Sequence, residues 1–89
     1  MRTPQPLTVT ARELDIPRKR VIRELYDAGL IRRDPLTDEW RATAHGRATG
    51  MVTERERSYR HPYKGPCLYT KVLVTAEGRR WLQRYTEAA

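Results

Sequence analysis

An α+β fold, a small winged helix-turn-helix with a β-hairpin wing and a C-terminal helix, is what this sequence predicts, on three observations. Residues 9–29 read as two helices joined by a tight turn. Residues 51–67 read as a polar, hairpin-like stretch. Residues 67–85 read as an alternating strand running into an amphipathic helix.

Residues 1–7 hold two prolines and no periodicity, so they are expected to form a flexible N-terminal arm, with the domain occupying 8–89. The run LTVT reads as a short strand or the lead into a helix. Thr10 with Glu13 three residues later makes a capping box for a first helix over 9–14, with Thr8 as a rival start. Asp15 follows at a turn position that needs the left-handed region, which Asp tolerates better than most residues. Pro17 suits the first turn of a second helix, where its missing N–H is no loss. That helix, 17–29, is the clearest element. Val21, Ile22, Leu25 and Ala28 share one face, Tyr26 borders it, and Gly29 is a natural stop. Next, IRRDPLTDEWRAT reads as extended chain, a turn at Asp34-Pro35 or Thr37-Asp38, and a strand through Trp40, which is expected in the core against the second helix.

The phrase TAHGR at 43–47 recurs as TAEGR at 75–79, with His45 exchanged for Glu77. The second copy follows CLYTKVLVT, whose Leu68, Thr70, Val72 and Val74 alternate onto one face. It opens a helix with Thr75 as N-cap and Trp81, Leu82 and Tyr85 as its apolar stripe. The first copy starts from Thr43 but meets Gly46 and Gly50 and is expected to abort after a turn. The flanks match at no longer period, so the reading is one local device used twice and not a repeat of whole units. Between the copies, MVTERERSYRHPYKGPC places Arg55, Arg57, Arg60 and Lys64 on a candidate wing. Glu54 and Glu56 alternate with the first two arginines, which predicts one acidic and one basic strand face. A helix usually precedes such a pair of helices. Residues 1–8 cannot supply it, so the C-terminal helix is expected to take its place in the core.

Fifteen Arg and three Lys face eleven Asp and Glu, a formal net charge of +7. Arg offers a planar fork of donors suited to phosphates and guanine edges, so the balance points to nucleic acid. In the second helix the cations Arg18, Lys19, Arg20 and Arg23 come first and the acids Glu24 and Asp27 last. The helix dipole prefers the reverse order, so an external polyanion is the expected compensation. The competing account is local: Arg20–Glu24 and Arg23–Asp27 as i,i+4 pairs. One cysteine, Cys67, excludes an internal disulfide, and with His45 and His61 scattered there is no metal spacing. No catalytic constellation, cofactor motif, signal-peptide core or membrane-length apolar run is present, so neither an enzyme nor a membrane protein is expected.

The order of these features resembles the C-terminal domain of phage antirepressors, the KilA-C type. The residues that carry the resemblance are Leu14, Ile16, Leu25, Gly29, Leu30, Trp40, Thr43, Gly46, Gly50, Thr75, Gly78 and Leu82. It implies a phage or prophage regulator whose DNA-binding domain acts in the bacterial cytoplasm or nucleoid. Pro17 departs from the polar residue usual at the start of the reading helix, and the domain commonly follows another one. On this reading Arg18, Lys19, Arg20 and Arg23 meet the major groove of double-stranded DNA, while Arg55, Arg57, Arg60 and Lys64 hold backbone or the minor groove. A homodimer on a two-fold site is compatible with it. The same basic faces, with Tyr59, Tyr63 and Tyr69, also suit a protein-binding module that engages a repressor or a host nucleic-acid complex.

Overall fold

The computed structural model describes the backbone of residues 3–88 and the side chains of residues 3–84. It is an α+β fold of four helices and antiparallel strands in the order β1 (Gln5–Pro6), α1 (Leu7–Leu14), α2 (Arg18–Asp27), β2 (Ile31–Arg33), β3 (Trp40–Ala42), α3 (Ala44–Ala48), β4 (Val52–His61), β5 (Gly65–Val74) and α4 (Ala76–Ala88). The strands form two sheets, β1-β5-β4 and the short hairpin β2-β3.

The segment expected as an arm is tied down from Gln5 onward. Gln5 pairs with Val74 and Pro6 with Leu73, and Leu7 opens α1 with its side chain buried. Met1 and Arg2 lie outside the described residues. The expected capping box does not form, because α1 begins at Leu7 and not at residue 9. Thr10 is a buried mid-helix residue whose hydroxyl donates to the Pro6 carbonyl at 3.0 Å. Glu13 instead pairs with Arg79 of α4. Leu7, Thr10 and Ala11 are spaced to bury one helical face, and that burial outweighs an end held by a side-chain cap.

Both helices of the pair end in the same way. The Asp15 N–H donates to Arg12 and the Ile16 N–H to Ala11; the Gly29 N–H donates to Tyr26 and the Leu30 N–H to Leu25. Each set is a Schellman motif, which needs a left-handed residue. Asp15 (φ 57°) and Gly29 (φ 75°) supply it, so the turn expected at Asp15 is as read. Pro17 stands at the N-cap of α2, one residue before the first helical position. Val21 and Leu25 are fully buried and join a core with Leu30, Ile31, Ala42, Val52, Val72, Val74 and Leu82. Leu82 brings α4 into that core. Trp40 packs against the core only partly buried, its ring edge-on to Tyr26 at 5.9 Å.

The recurring phrase makes the same clasp twice. The Thr43 N–H donates to the Leu30 carbonyl at 3.0 Å, its hydroxyl donates to the Gly29 carbonyl at 2.6 Å, and it accepts the Gly46 N–H at 2.9 Å. The Thr75 N–H donates to the Met51 carbonyl at 3.0 Å, its hydroxyl donates to the Gly50 carbonyl, and it accepts the Gly78 N–H at 3.1 Å. Gly29 and Gly50 share a φ near +75° (75° and 74°). A Cβ at Gly46 or Gly78 would be driven into the Leu30 or Met51 carbonyl oxygen. The local device is therefore as read, but it is embedded in a repeated three-dimensional unit: left-handed glycine, strand, antiparallel strand, Thr-x-x-Gly helix start. The two units differ in hairpin length, with glycine and threonine 14 residues apart in one and 25 in the other, so no constant period exists for the sequence to display. The first copy yields a five-residue helix, α3, which closes one unit and opens the next.

Alanine normally stabilises a helix relative to glycine, by about 1 kcal/mol. We expect the opposite at Gly46 and Gly78: Gly46→Ala and Gly78→Ala each destabilise by about 2–3 kcal/mol, read by urea denaturation, because the new methyl meets backbone that cannot yield. Gly29→Ala, with open space around its would-be Cβ, carries only the left-handed backbone cost of about 1–2 kcal/mol.

Candidate nucleic-acid interface

Burying Val21 and Leu25 turns the opposite side of α2 to solvent. Arg18, Lys19, Arg23, Tyr26 and Asp27 are exposed there, and Arg20 is half-buried at the flank. No side chain caps the helix N-terminus, so three cations and the positive end of the dipole share one turn. The local account of these charges holds only in part. Arg23 and Asp27 approach to 3.9 Å with both side chains largely exposed, an interaction worth little. Among the described residues, Arg18, Lys19 and Arg20 have no ion-pair partner, and no Arg20–Glu24 pair forms.

The wing is the β4-β5 hairpin, turning at residues 62–64. The β4 and β5 strands pair over ten positions, from Val52 with Val74 to His61 with Gly65. Its turn is held by His61, whose Nδ1 accepts the N–H groups of Tyr63 (3.1 Å) and Lys64 (3.2 Å); His61 is thus a turn-capping residue. The outer half is exposed, including Tyr59, Tyr63 and Leu68. At the base, Glu54 is mostly buried and is gripped by two arginines: Arg41 Nε at 2.6 Å and Arg47 at 3.3 Å. Arg41 also reaches Asp34 at 3.8 Å. The hydrogen bond that Arg41 donates to Glu54, with that carboxylate's charge, raises the pKa of the Arg41 guanidinium above its usual value. This cluster ties β4 to β3 and α3.

The eight expected contact residues do not form one cluster. Arg18, Lys19, Arg20 and Arg23 stand together on α2. Lys64 lies in the wing turn, and Arg60 shares a strand face with Glu54. Arg55 and Arg57 stand on the other face, as the alternating charges predict. Lys71 was missed by sequence reasoning. It lies directly opposite Arg55, a fact that only the hairpin register reveals. It also lines, with Arg18, Trp40 and Tyr69, a cleft of about 270 Å³ at the root of the wing. Among the described residues no group of three His, Cys, Asp or Glu side chains is arranged to hold a metal ion, and no helix is long and apolar enough to cross a membrane.

Two helices on a left-handed turn, a β-hairpin and cations without ion-pair partners among the described residues make up a small basic α+β domain. The model of the phage antirepressor protein KilAC domain family matches residues 4–88, and the chain belongs to that family. Its function is accordingly phage regulation, in a family that is regulatory and not enzymatic. No curated protein and no solved structure matches the chain.

Glu54→Ala leaves Arg41 and Arg47 without their shared carboxylate at the wing's base. It is expected to lower the melting temperature clearly more than Glu56→Ala, a change at an exposed position, in paired thermal scans.

Proposed function

We propose that the chain is a sequence-specific regulator that binds double-stranded DNA through a winged helix-turn-helix. The leading half of α2 enters the major groove, with Arg18, Lys19, Arg20 and Arg23 dividing between base edges and phosphates. Arg60 and Lys64 at the wing's end grip the backbone of the same duplex. One observation carries this reading: three adjacent cations at the uncapped, positive end of α2 have no ion-pair partner among the described residues. Such an arrangement costs stability in isolation and is offset by an external polyanion. The role places the protein with the DNA, in the cytoplasm of the bacterial host.

A second reading is supported by the exposed Tyr63 (93%) and Leu68 (69%) of the wing, apolar surface that a phosphate backbone does not reward. In it, the wing engages a repressor or a host nucleic-acid complex, and the basic surfaces steer that encounter.

Gel shifts on random and phage-derived duplexes test the two. For about six to eight phosphate contacts, affinity is expected to fall about a thousandfold or more between 50 and 200 mM salt. Replacing Arg18, Lys19 or Arg23 with Ala is expected to weaken binding about tenfold or more where the side chain reaches a base edge. A chain that retains no duplex at low salt defeats the DNA reading and leaves the protein-binding one.

A further inference from the structure

The hairpin register sorts the wing's charges by strand face. Residues directly opposite in an antiparallel ribbon share a face, and successive residues alternate. One face carries Val52, Glu54, Val72 and Val74. Its valines belong to the core that contains Val21 and Leu25 of α2, and Glu54 is taken up by Arg41 and Arg47. The other face carries Arg55 opposite Lys71, then Arg57 opposite Tyr69. All three cations are exposed, and this face holds no Asp or Glu along the whole paired length of β4 and β5. Like charges directly opposite in a sheet destabilise it. Arg55 and Lys71 stand about 5 Å apart at the backbone, and Arg57 follows about 7 Å along the strand. The acids beside them in sequence, Glu54 and Glu56, point to the other face and cannot relieve the trio.

We infer that Arg55, Arg57 and Lys71 form a second polyanion surface, on the side of the sheet away from α2, which takes the phosphate backbone of a second DNA duplex, so that one chain bridges two duplex segments. The inference rests on the reading of α2 for the first segment. The two surfaces come nearest at the edge of β5, where Arg18 and Lys71 line one cleft together with Asp38 and Glu39; these acids stand at the rim between the surfaces, and Arg55 and Arg57 lie outside that cleft. A duplex with a persistence length of about 150 base pairs does not fold around an edge this narrow, so each side takes its own segment. Tyr59 and Tyr69 pack edge-on against each other at 5.6 Å and are not splayed for base stacking, which favours a duplex backbone over a single strand.

The test tethers one duplex to beads, adds the full chain, and measures capture of a second, labelled duplex, alongside gel shifts on a single duplex. Wild type is expected to capture the second duplex. Because the register puts Arg55 and Arg57 on the face opposite Arg60, they are not contacts of the α2-bound duplex. The variant R55A/R57A/K71A, folded as judged by circular dichroism, is therefore expected to lose capture about tenfold or more while single-duplex affinity, which rests on α2, Arg60 and Lys64, changes less than about threefold at matched salt. Single-duplex binding without capture by wild type overturns the inference and leaves the α2 reading standing. Undiminished capture by the triple variant also overturns it, since a dimer then bridges through two copies of α2. Capture of a labelled single strand in preference to the second duplex overturns it in favour of a stacking surface. A wild-type chain that binds no duplex overturns both readings.

Discussion

A threonine that clasps a glycine carbonyl holds this fold together at two places. Each clasp satisfies, with one side chain, the carbonyl of a left-handed glycine and an N–H of the next helix's first turn, while the threonine's own N–H ties off the following carbonyl. Three hydrogen bonds of about 0.5–1.5 kcal/mol each make one clasp worth about 1.5–4.5 kcal/mol, a large share of a small domain's roughly 5–15 kcal/mol. The geometry matters more than the sum. Gly46 and Gly78 let the helix start lie against the Leu30 and Met51 carbonyls, so the end of one helix determines where the next begins. Strand pairing then follows: Ile31 meets Ala42, and Val52 meets Val74. The long ribbon can carry a poorly neutralised charge pattern because its register is held at its root by the second clasp.

That arrangement explains which parts were legible. The second helix, the turn at Asp15 and the alternating strand ending at Val74 could be read because each depends on local chemistry: apolar spacing, a left-handed position, parity. The start of the first helix could not. Thr10 and Glu13 spell a capping box, yet the three-dimensional neighbours of those residues are Pro6 and Arg79, and contacts with β5 and α4 move the helix start to Leu7. The repeat was half legible. Its pentapeptide is visible, but the glycines it clasps lie 14 and 25 residues away, a separation set by hairpin length and invisible to any periodic comparison.

The candidate interface divides along the same line. The cations of α2 are adjacent in sequence and announce themselves by their order against the dipole. The wing cations look like one set because they are close in the chain. Parity separates Arg55 and Arg57 from Arg60, and only the register adds Lys71 to the first two. Lys71 sits inside an alternating apolar strand, where a lone cation reads as the solvent side of a sheet and nothing more.

The two basic surfaces share one physical signature, and that signature separates them from ordinary surface charge. A solvated arginine is indifferent to its neighbours within a few tenths of a kcal/mol. Here the cations occupy positions their own secondary structure disfavours: the leading turn of a helix in one case, directly facing positions of a ribbon in the other. Meanwhile the fold spends two arginines, Arg41 and Arg47, on the single carboxylate Glu54, and pairs Arg33 with Asp38 and Arg79 with Glu13. A chain with arginine enough to share a carboxylate has not run short of neutralising geometry at its core. Glu54 and Asp38 secure the two hairpins, while Arg18, Lys19 and Arg20 at the start of α2 and the facing Arg55 and Lys71 on the ribbon have no ion-pair partner among the described residues.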